Sequence, residues 1–323
     1  MNFHLNFKAD VFADKLSYGQ RLLFIGSCFA ENIGEKMQER KFNCLINPHG
    51  VMYNPTSIGH ALTRYLNNTS LKEEELFYAH EQWNSWEHHS RYSHVDKDQC
   101  ITRINQEITA AHTYLKEAQW LFITFGSSFV YKLKDTGNYV GNCHKVPAVQ
   151  FEKELLTGES IIKEYSELIL QLKMFNPNLK IVFTVSPVRY TRDGLVENNR
   201  SKANLITAVH DLVDAFENVF YFPAYEIVID ELRDYRFYKE DLVHPNEIAI
   251  NYVYKKLTEV LLDEFTKKQQ EKIVELLNAM RHKPFNEQSE SHQKFKANYL
   301  ARCKEIQKEL PVIDLKKEEA YFS

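Results

Sequence analysis

The chain has 323 residues, 44% of them hydrophobic and 26% charged, with a formal net charge of −4. That is the composition of a soluble globular protein, and the mild acidic excess gives no electrostatic reason to bind nucleic acid or an anionic membrane. No run approaches the roughly 18 apolar residues that a membrane span requires, and the length predicts one large domain with an appendage or two small domains.

The amino terminus, Met1-Asn2-Phe3-His4-Leu5-Asn6-Phe7, has neither the basic nor the apolar region of a signal peptide. The five cysteines are scattered without a C-x-x-C pair, as expected for reduced thiols, so a cytoplasmic location is expected. Residues 3–20 read as an irregular lead-in. The first strong signal is Arg21–Ile25, a short apolar run that reads as a buried strand, broken by Gly26. Ser27 and Cys28 occupy the turn, and Ala30, Ile33 and Met37 then recur at helical spacing. A strand that turns directly into a helix places its turn at the carboxyl edge of a parallel sheet, where open α/β sheets bind ligands. The amino end of that helix can hold an oxyanion and lower a thiol pKa.

Four further strands are predicted at Phe42–Ile46, Trp120–Phe125, Lys180–Val185 and Val219–Phe222. Amphipathic helices are predicted at Glu31–Arg40, Ser57–Leu66, Thr102–Leu115, Ser160–Met174 and Ser201–Phe216. Strands alternating with helices imply βαβ units and a parallel sheet with right-handed crossovers and helices on both faces. The long interval between the second and third strands holds Glu73-Glu74-Glu75 and the segment Trp83-Asn84-Ser85-Trp86-Glu87-His88-His89, and long loops inside compact domains are commonly functional. Aromatics at 13% suggest a large core or a pocket with stacking surfaces.

Two more glycine turns follow strands, Pro48-His49-Gly50-Val51 and Phe125-Gly126-Ser127-Ser128. Both fall at the same sheet edge and can turn an N–H, or the hydroxyl of Ser127 or Ser128, towards an oxyanion; their plain alternative is turn chemistry. Asn142-Cys143-His144-Lys145 lies beyond the third strand. Cys143 and His144 lack a second pair at zinc spacing, and His80, His88, His89 and His94 match no metal signature, so no metal is expected. Arg189, in Ser186-Pro187-Val188-Arg189, is a candidate anchor for a substrate carboxylate or phosphate. No G-x-G-x-x-G or Walker pattern is present, so no nucleotide cofactor is expected.

Near the other end, Asp241-Leu242-Val243-His244-Pro245 places a carboxylate three residues before an imidazole. The carboxylate can fix the tautomer and leave the second ring nitrogen as a base; the competing reading has Asp241 capping the helix that follows and His244 as a surface residue. That helix is predicted to start with Pro245 at its first position and to run through Leu261. From about Phe265 the composition shifts to Lys, Glu and Gln with spaced Ile and Leu, broken at Pro284. That predicts two or three solvated surface helices and a division into 1–264 and 265–323.

The string Gly26-Ser27-Cys28-Phe29-Ala30 and its ordered companions resemble the GSCFA domain family along nearly the whole chain. Those companions are Asn47-Pro48-His49-Gly50, Thr124-Phe125-Gly126, Asn142-Cys143-His144-Lys145, Ser186-Pro187-Val188-Arg189, Asp241-x-x-His244-Pro245 and His282-Lys283-Pro284-Phe285. That family is similar to the SGNH (GDSL-like) hydrolases, which implies a three-layer α/β/α flavodoxin-like fold with a five-stranded parallel sheet, here carrying a C-terminal helical extension. It also implies ester chemistry, either hydrolysis or acyl transfer, on a small-molecule or glycan ester. By that resemblance Gly26, Gly50 and Gly126 match the glycines of the first three blocks, and Asp241 with His244 matches the last. Cysteine stands where the serine nucleophile is expected, Ser27 where aspartate is expected, and Ser128 where an asparagine donor is expected. The expected site is therefore Cys28 or Ser27 as nucleophile, His244 as base and Asp241 as its orienting carboxylate. The oxyanion hole is expected from Cys28, Gly50, Gly126 and Ser128, and substrate contacts from His144, Arg189, His49 and Ser127. A catalytically silent module that binds a glycan or acyl group is the alternative, and a metal-assisted hydrolase using the histidine-rich loop a third.

Overall fold

The computed structural model describes Leu5 and residues 7–323. Residues 1–4 and 6, which carry part of the expected irregular lead-in, lie outside the described residues. Five strands form one parallel sheet: β1 (Arg21–Gly26), β2 (Asn43–Ile46), β5 (Trp120–Phe125), β9 (Lys180–Val185) and β10 (Val219–Tyr221), in the order β10-β9-β5-β1-β2. Two small antiparallel sheets were not anticipated. One pairs β3 (Leu76–Ala79) with β4 (Gln82–Ser85). The other sets β6 (Phe129–Leu133) between β7 (Tyr139–Val140) and β8 (Phe151–Leu155).

The main strands alternate sides with the period of two that a pleated strand imposes. Leu23 and Ile25 of β1, Leu121 and Ile123 of β5, and Ile181 and Phe183 of β9 join one core. Leu22, Phe24, Trp120, Phe122 and Val182 join the other. On the first face pack α2 (Pro55–Asn67), α3 (Lys97–Glu117), α4 (Gly158–Phe175) and α5 (Leu195–Ala215). On the second lie α1 (Cys28–Glu39) and, beyond a short turn α6 (Ala224–Glu226), α7 (Glu247–Leu261). The result is three layers, α/β/α, with the flavodoxin-like strand order.

The C-terminal helices α8 (Glu264–Arg281), α9 (Glu290–Glu309) and α10 (Lys316–Phe322) pack on one another around Ile273, Leu276, Ile306 and Phe322, with Pro284 in the break between α8 and α9. The helix after His244 differs slightly from expectation. Pro245 lies outside it, because the Asn246 side chain accepts from the Ala249 N–H at 3.2 Å and is the cap. No helix among the described residues is long and apolar enough to cross a membrane.

Gly26 ends β1 with φ +133°, and a Cβ there would fall 2.2 Å from the Thr124 carbonyl oxygen of the neighbouring strand. Only glycine permits both that conformation and that approach. Gly26→Ala is therefore expected to destabilise the chain by at least about 2 kcal/mol, seen as a lower thermal midpoint; an unchanged midpoint would mean the turn is not built this way.

Candidate functional site

The sheet order reverses between β1 and β5, and the loops leaving those two strands together form the switch-point crevice of such a sheet. Ser27 and Cys28 follow β1, Gly126 and Ser127 follow β5, and Ser186 follows β9. All five line one cavity of about 480 Å³, and so does His244 from the far end of the chain. Tyr53, Asn54, His89, Phe129, Tyr131 and Tyr190 supply much of the remaining wall.

Ser27 and Cys28 differ in what their side chains do. Ser27 is the N-cap of α1: its Oγ accepts from the Phe29 N–H at 3.3 Å, and the residue is only 1% exposed. Cys28 is the first residue of the helix and its thiol is partly exposed and unpaired. Burial and the neighbouring Glu31 push that thiol up from its ordinary value, against the pull of Lys239, of Lys202 and of a backbone hydrogen bond.

The late motif folds as a compact loop. Asp241 Oδ1 accepts from the backbone N–H groups of Val243 and His244 at 2.9 and 3.0 Å, and Oδ2 meets His244 Nδ1 at 2.7 Å. Those contacts, the two N–H groups foremost, hold the Asp241 carboxyl down to about 2. The carboxylate thus stays ionised at neutral pH and fixes the Nδ1–H tautomer, leaving Nε2 as the ring's open nitrogen. Asp241 does not cap the helix, since Asn246 fills that role. The loop turns through Leu242 at φ +58° and is held from outside by Arg189. The Arg189 N–H donates to the Val243 carbonyl at 3.3 Å, its Nη1 donates to the Leu242 carbonyl at 3.0 Å, and its guanidinium lies 4.2 Å from the Tyr238 ring centre. Arg189 lines the cavity, and much of its bonding capacity braces the Asp241–His244 loop.

The expected oxyanion donors need correction. The Gly50 N–H donates to the Asn47 carbonyl at 2.7 Å, closing its own turn, and Gly50 does not line the cavity. The N–H groups of Gly126 and Ser127 both donate to the Tyr53 carbonyl, at 2.7 and 2.9 Å. Ser128 is fully buried, its N–H donating to Ser201 Oγ at 2.8 Å and its Oγ to the Ser201 carbonyl at 3.2 Å. The loop after β2 thus crosses the ends of β1 and β5: its Met52 N–H donates to the Gly26 carbonyl, and its Tyr53 carbonyl takes the two amides that follow β5. What it presents in exchange is Asn54. The Asn54 Oδ1 caps α2 by accepting from Ser57 at 2.8 Å, while its Nδ2 has no partner among the described residues and the residue lines the cavity. The sequence signal for this donor is an asparagine directly before Pro55 at the start of a helix.

The expected substrate contacts divide. Ser127 lines the cavity, its Oγ accepting from the Phe129 N–H and lying 3.2 Å from Ser201 Oγ. His144 and His49 do not line it. His144 is buried with Nε2 2.8 Å from the Ser85 carbonyl oxygen, against Phe77 and Trp86, and serves the small sheets. His49 is 1% exposed with Nδ1 2.6 Å from the Tyr65 hydroxyl. Like His244, His89 reaches the wall; it is carried there because Gly50 leaves room. A Cβ on Gly50 would fall 2.1 Å from the Cβ of His89.

The His49 and His88 rings stack at 4.0 Å between centres, and neither Nε2 has a partner among the described residues. Burial pulls His49 down to about 3 and His88 well below its ordinary value. The folded chain therefore refuses protons that the unfolded chain accepts below pH 6.5. The stability these rings contribute is complete above that pH and is lost as the pH falls towards 3. The expected slope is up to about 1.4 kcal/mol per pH unit for each ring. Denaturant titrations between pH 7 and 4.5 check this, and a flat midpoint over that range would contradict it. Among the described residues no three His, Cys, Asp or Glu side chains are placed to share a metal ion.

The sequence profile of the GSCFA family matches residues 21–257, and the profile described as GSCFA domain protein, C-terminal domain, matches residues 264–323. No curated protein sequence matches the chain. Among solved structures the chain is similar to a family 3 carbohydrate esterase of Clostridium thermocellum, at 11% identity and TM-score 0.36, covering 75% of this chain and 94% of that one. It is also similar to an acetyl xylan esterase of the rumen bacterium Butyrivibrio proteoclasticus, at 11% identity and TM-score 0.37, covering 76% of this chain and 63% of that one. The chain thus spans less than two thirds of that second protein.

Proposed function

The chain belongs to the GSCFA family, and we propose that it is an acyl-ester hydrolase or acyltransferase working through a covalent acyl-enzyme on a small-molecule or glycan ester. The observation that carries this reading is that a half-buried thiol at a helix N-terminus and a carboxylate-oriented imidazole, remote in sequence, line one cavity. The reaction follows from those groups. His244 Nε2 takes the Cys28 proton as the sulfur bonds to the ester carbonyl carbon. The tetrahedral oxyanion is held by the Cys28 N–H at the start of α1 and by Asn54 Nδ2. Collapse breaks the C–O bond, and the leaving alkoxide takes the proton from His244. Water, or a sugar hydroxyl, then gives its proton to His244 and attacks the thioester, which releases the acyl product and restores the thiol.

Tyr53, Phe129, Tyr131 and Tyr190 in the wall offer flat faces against which a sugar ring or an aryl leaving group can pack. Incubation with a short-chain p-nitrophenyl ester, quenched in acid and followed by intact mass, tests the proposal. A transient acyl adduct on Cys28 with release of p-nitrophenol is expected. No adduct and no turnover between pH 6 and 9 would leave a silent binding module in its place.

A further inference from the structure

Lys202 sits on the core-facing side of α5, 2% exposed, and is among the largest wholly enclosed side chains of the protein. Its ammonium donates to the carbonyl oxygens of Gly126 at 2.6 Å and Ser186 at 2.5 Å. These two residues follow adjacent strands of the sheet and both line the catalytic cavity. Lys202 also borders a second cavity of about 450 Å³, on the side of the loop that carries Asp241. Among the described residues no carboxylate pairs with it, and the Tyr225 ring centre lies 5.9 Å from its nitrogen. Enclosing a cation in this way is costly unless an anion answers it, and two carbonyls could be satisfied by a neutral amide at less expense.

We infer that Lys202 is a positioning residue whose enclosed, carboxylate-free ammonium, fixed between the Gly126 and Ser186 carbonyls under the cavity floor, stabilises negative charge on the Cys28 sulfur. The oxyanion formed beside that sulfur would feel the same charge, and this second effect alone rests on the function proposed above. The charges reaching Cys28 are few. Glu31 from its own helix opposes the thiolate, Lys239 from the loop before Asp241 favours it, Tyr53 lies across the cavity, and His244 lines the same wall. Lys202 is the one of these that is wholly enclosed, where the dielectric screens least. Burial pulls its ammonium down to about 7, and the Cys28 thiolate is the one charge that works to hold the proton on.

The test is the rate at which iodoacetamide alkylates Cys28, followed by peptide mapping across pH 6 to 10. The reaction forms the S–C bond, expels iodide and gives the thiol proton to buffer. In Lys202→Met and Lys202→Gln the rate at pH 6, where the ammonium carries its charge, is expected to fall about tenfold, the effect of removing one nearby opposite charge, while the rate at pH 10, where Lys202 is neutral in the native chain, stays the same. A lower melting temperature with an unmoved profile would mean that Lys202 only clamps two loops, and would overturn the inference. Should neither variant fold, the reciprocal measurement uses Cys28→Asp, which places a negative charge at that position near neutral pH: the Lys202 ammonium, followed by nitrogen NMR, must then keep its proton to higher pH than in the native chain. An unmoved titration would overturn the inference equally. If alkylation depends on Lys202 while the native chain turns over no ester, the hydrolase proposal fails and this inference stands.

Discussion

His244→Ala is expected to lower turnover of an ester substrate by roughly 10²–10⁴-fold while the melting temperature moves by no more than a few degrees. In the proposed mechanism the rate falls because the variant removes the group that takes the proton from the nucleophile and returns it to the leaving group, in both halves of the reaction. The fold is spared because the ring is not part of a core. Its side chain is 43% exposed, and the backbone of its loop is fixed by other bonds. These run from Val243 and His244 N–H to Asp241, from Lys239 N–H to the His244 carbonyl, and from Arg189 to Leu242. Asp241→Asn is expected to lose most of the same activity, since an amide can donate to Nδ1 and hold the ring in the wrong tautomer. Progress curves and circular dichroism on the two variants check this. Turnover that survives His244→Ala would remove the imidazole from the chemistry.

What could be read in the sequence was whatever depends on short-range pattern. Trp120–Phe125 and Lys180–Val185 are mostly apolar runs, interrupted only by Thr124, Lys180 and Thr184, and β5 and β9 occupy those residues. The turn after β1 was legible because glycine, a hydroxyl and an amphipathic helix follow an apolar run in that order. The small sheets were missed for a physical reason. Phe151-Glu152-Lys153-Glu154-Leu155 alternates as a half-exposed strand does, but five residues with three charges also describe a loop. That the N–H groups of Gly50, Gly126 and Ser128 are already engaged was not legible, because an N–H is available only if no other acceptor comes to it. The Tyr53 carbonyl reaches Gly126 and Ser127 through a crossing that no spacing encodes. Lys202 did leave a trace. In α5 the positions Asn198, Ser201, Lys202, Leu205, Ala208, Val209 and Leu212 share the buried face, so a lysine stood at a core position in a helix read only for its amphipathicity.

The second large effect is expected at Cys28. Cys28→Ala should abolish the acyl adduct and lower turnover at least about 10³-fold, whereas Ser27→Ala should keep turnover within about tenfold and instead cost about 1 kcal/mol of stability, the usual effect of deleting a helix cap. The contrast follows from how the two neighbours are held. At the N-cap, the Ser27 hydroxyl accepts from Phe29 in an enclosed position, and turning it towards the ester would leave that N–H without its partner. At the first helical position, the Cys28 thiol is partly exposed with no such duty. Its proton is held more tightly than in a free cysteine because burial and Glu31 disfavour the thiolate, so at neutral pH the sulfur depends on His244 to remove it. The Cys28 alkylation rate should accordingly climb with pH well above 7. Glu31→Gln should move that climb to lower pH, since the repelling carboxylate is gone. Adduct mass on the two alanine variants decides between the residues. Acylation that persists in Cys28→Ala and vanishes in Ser27→Ala would transfer the nucleophile to the hydroxyl, and would require the first turn of α1 to rearrange during the reaction.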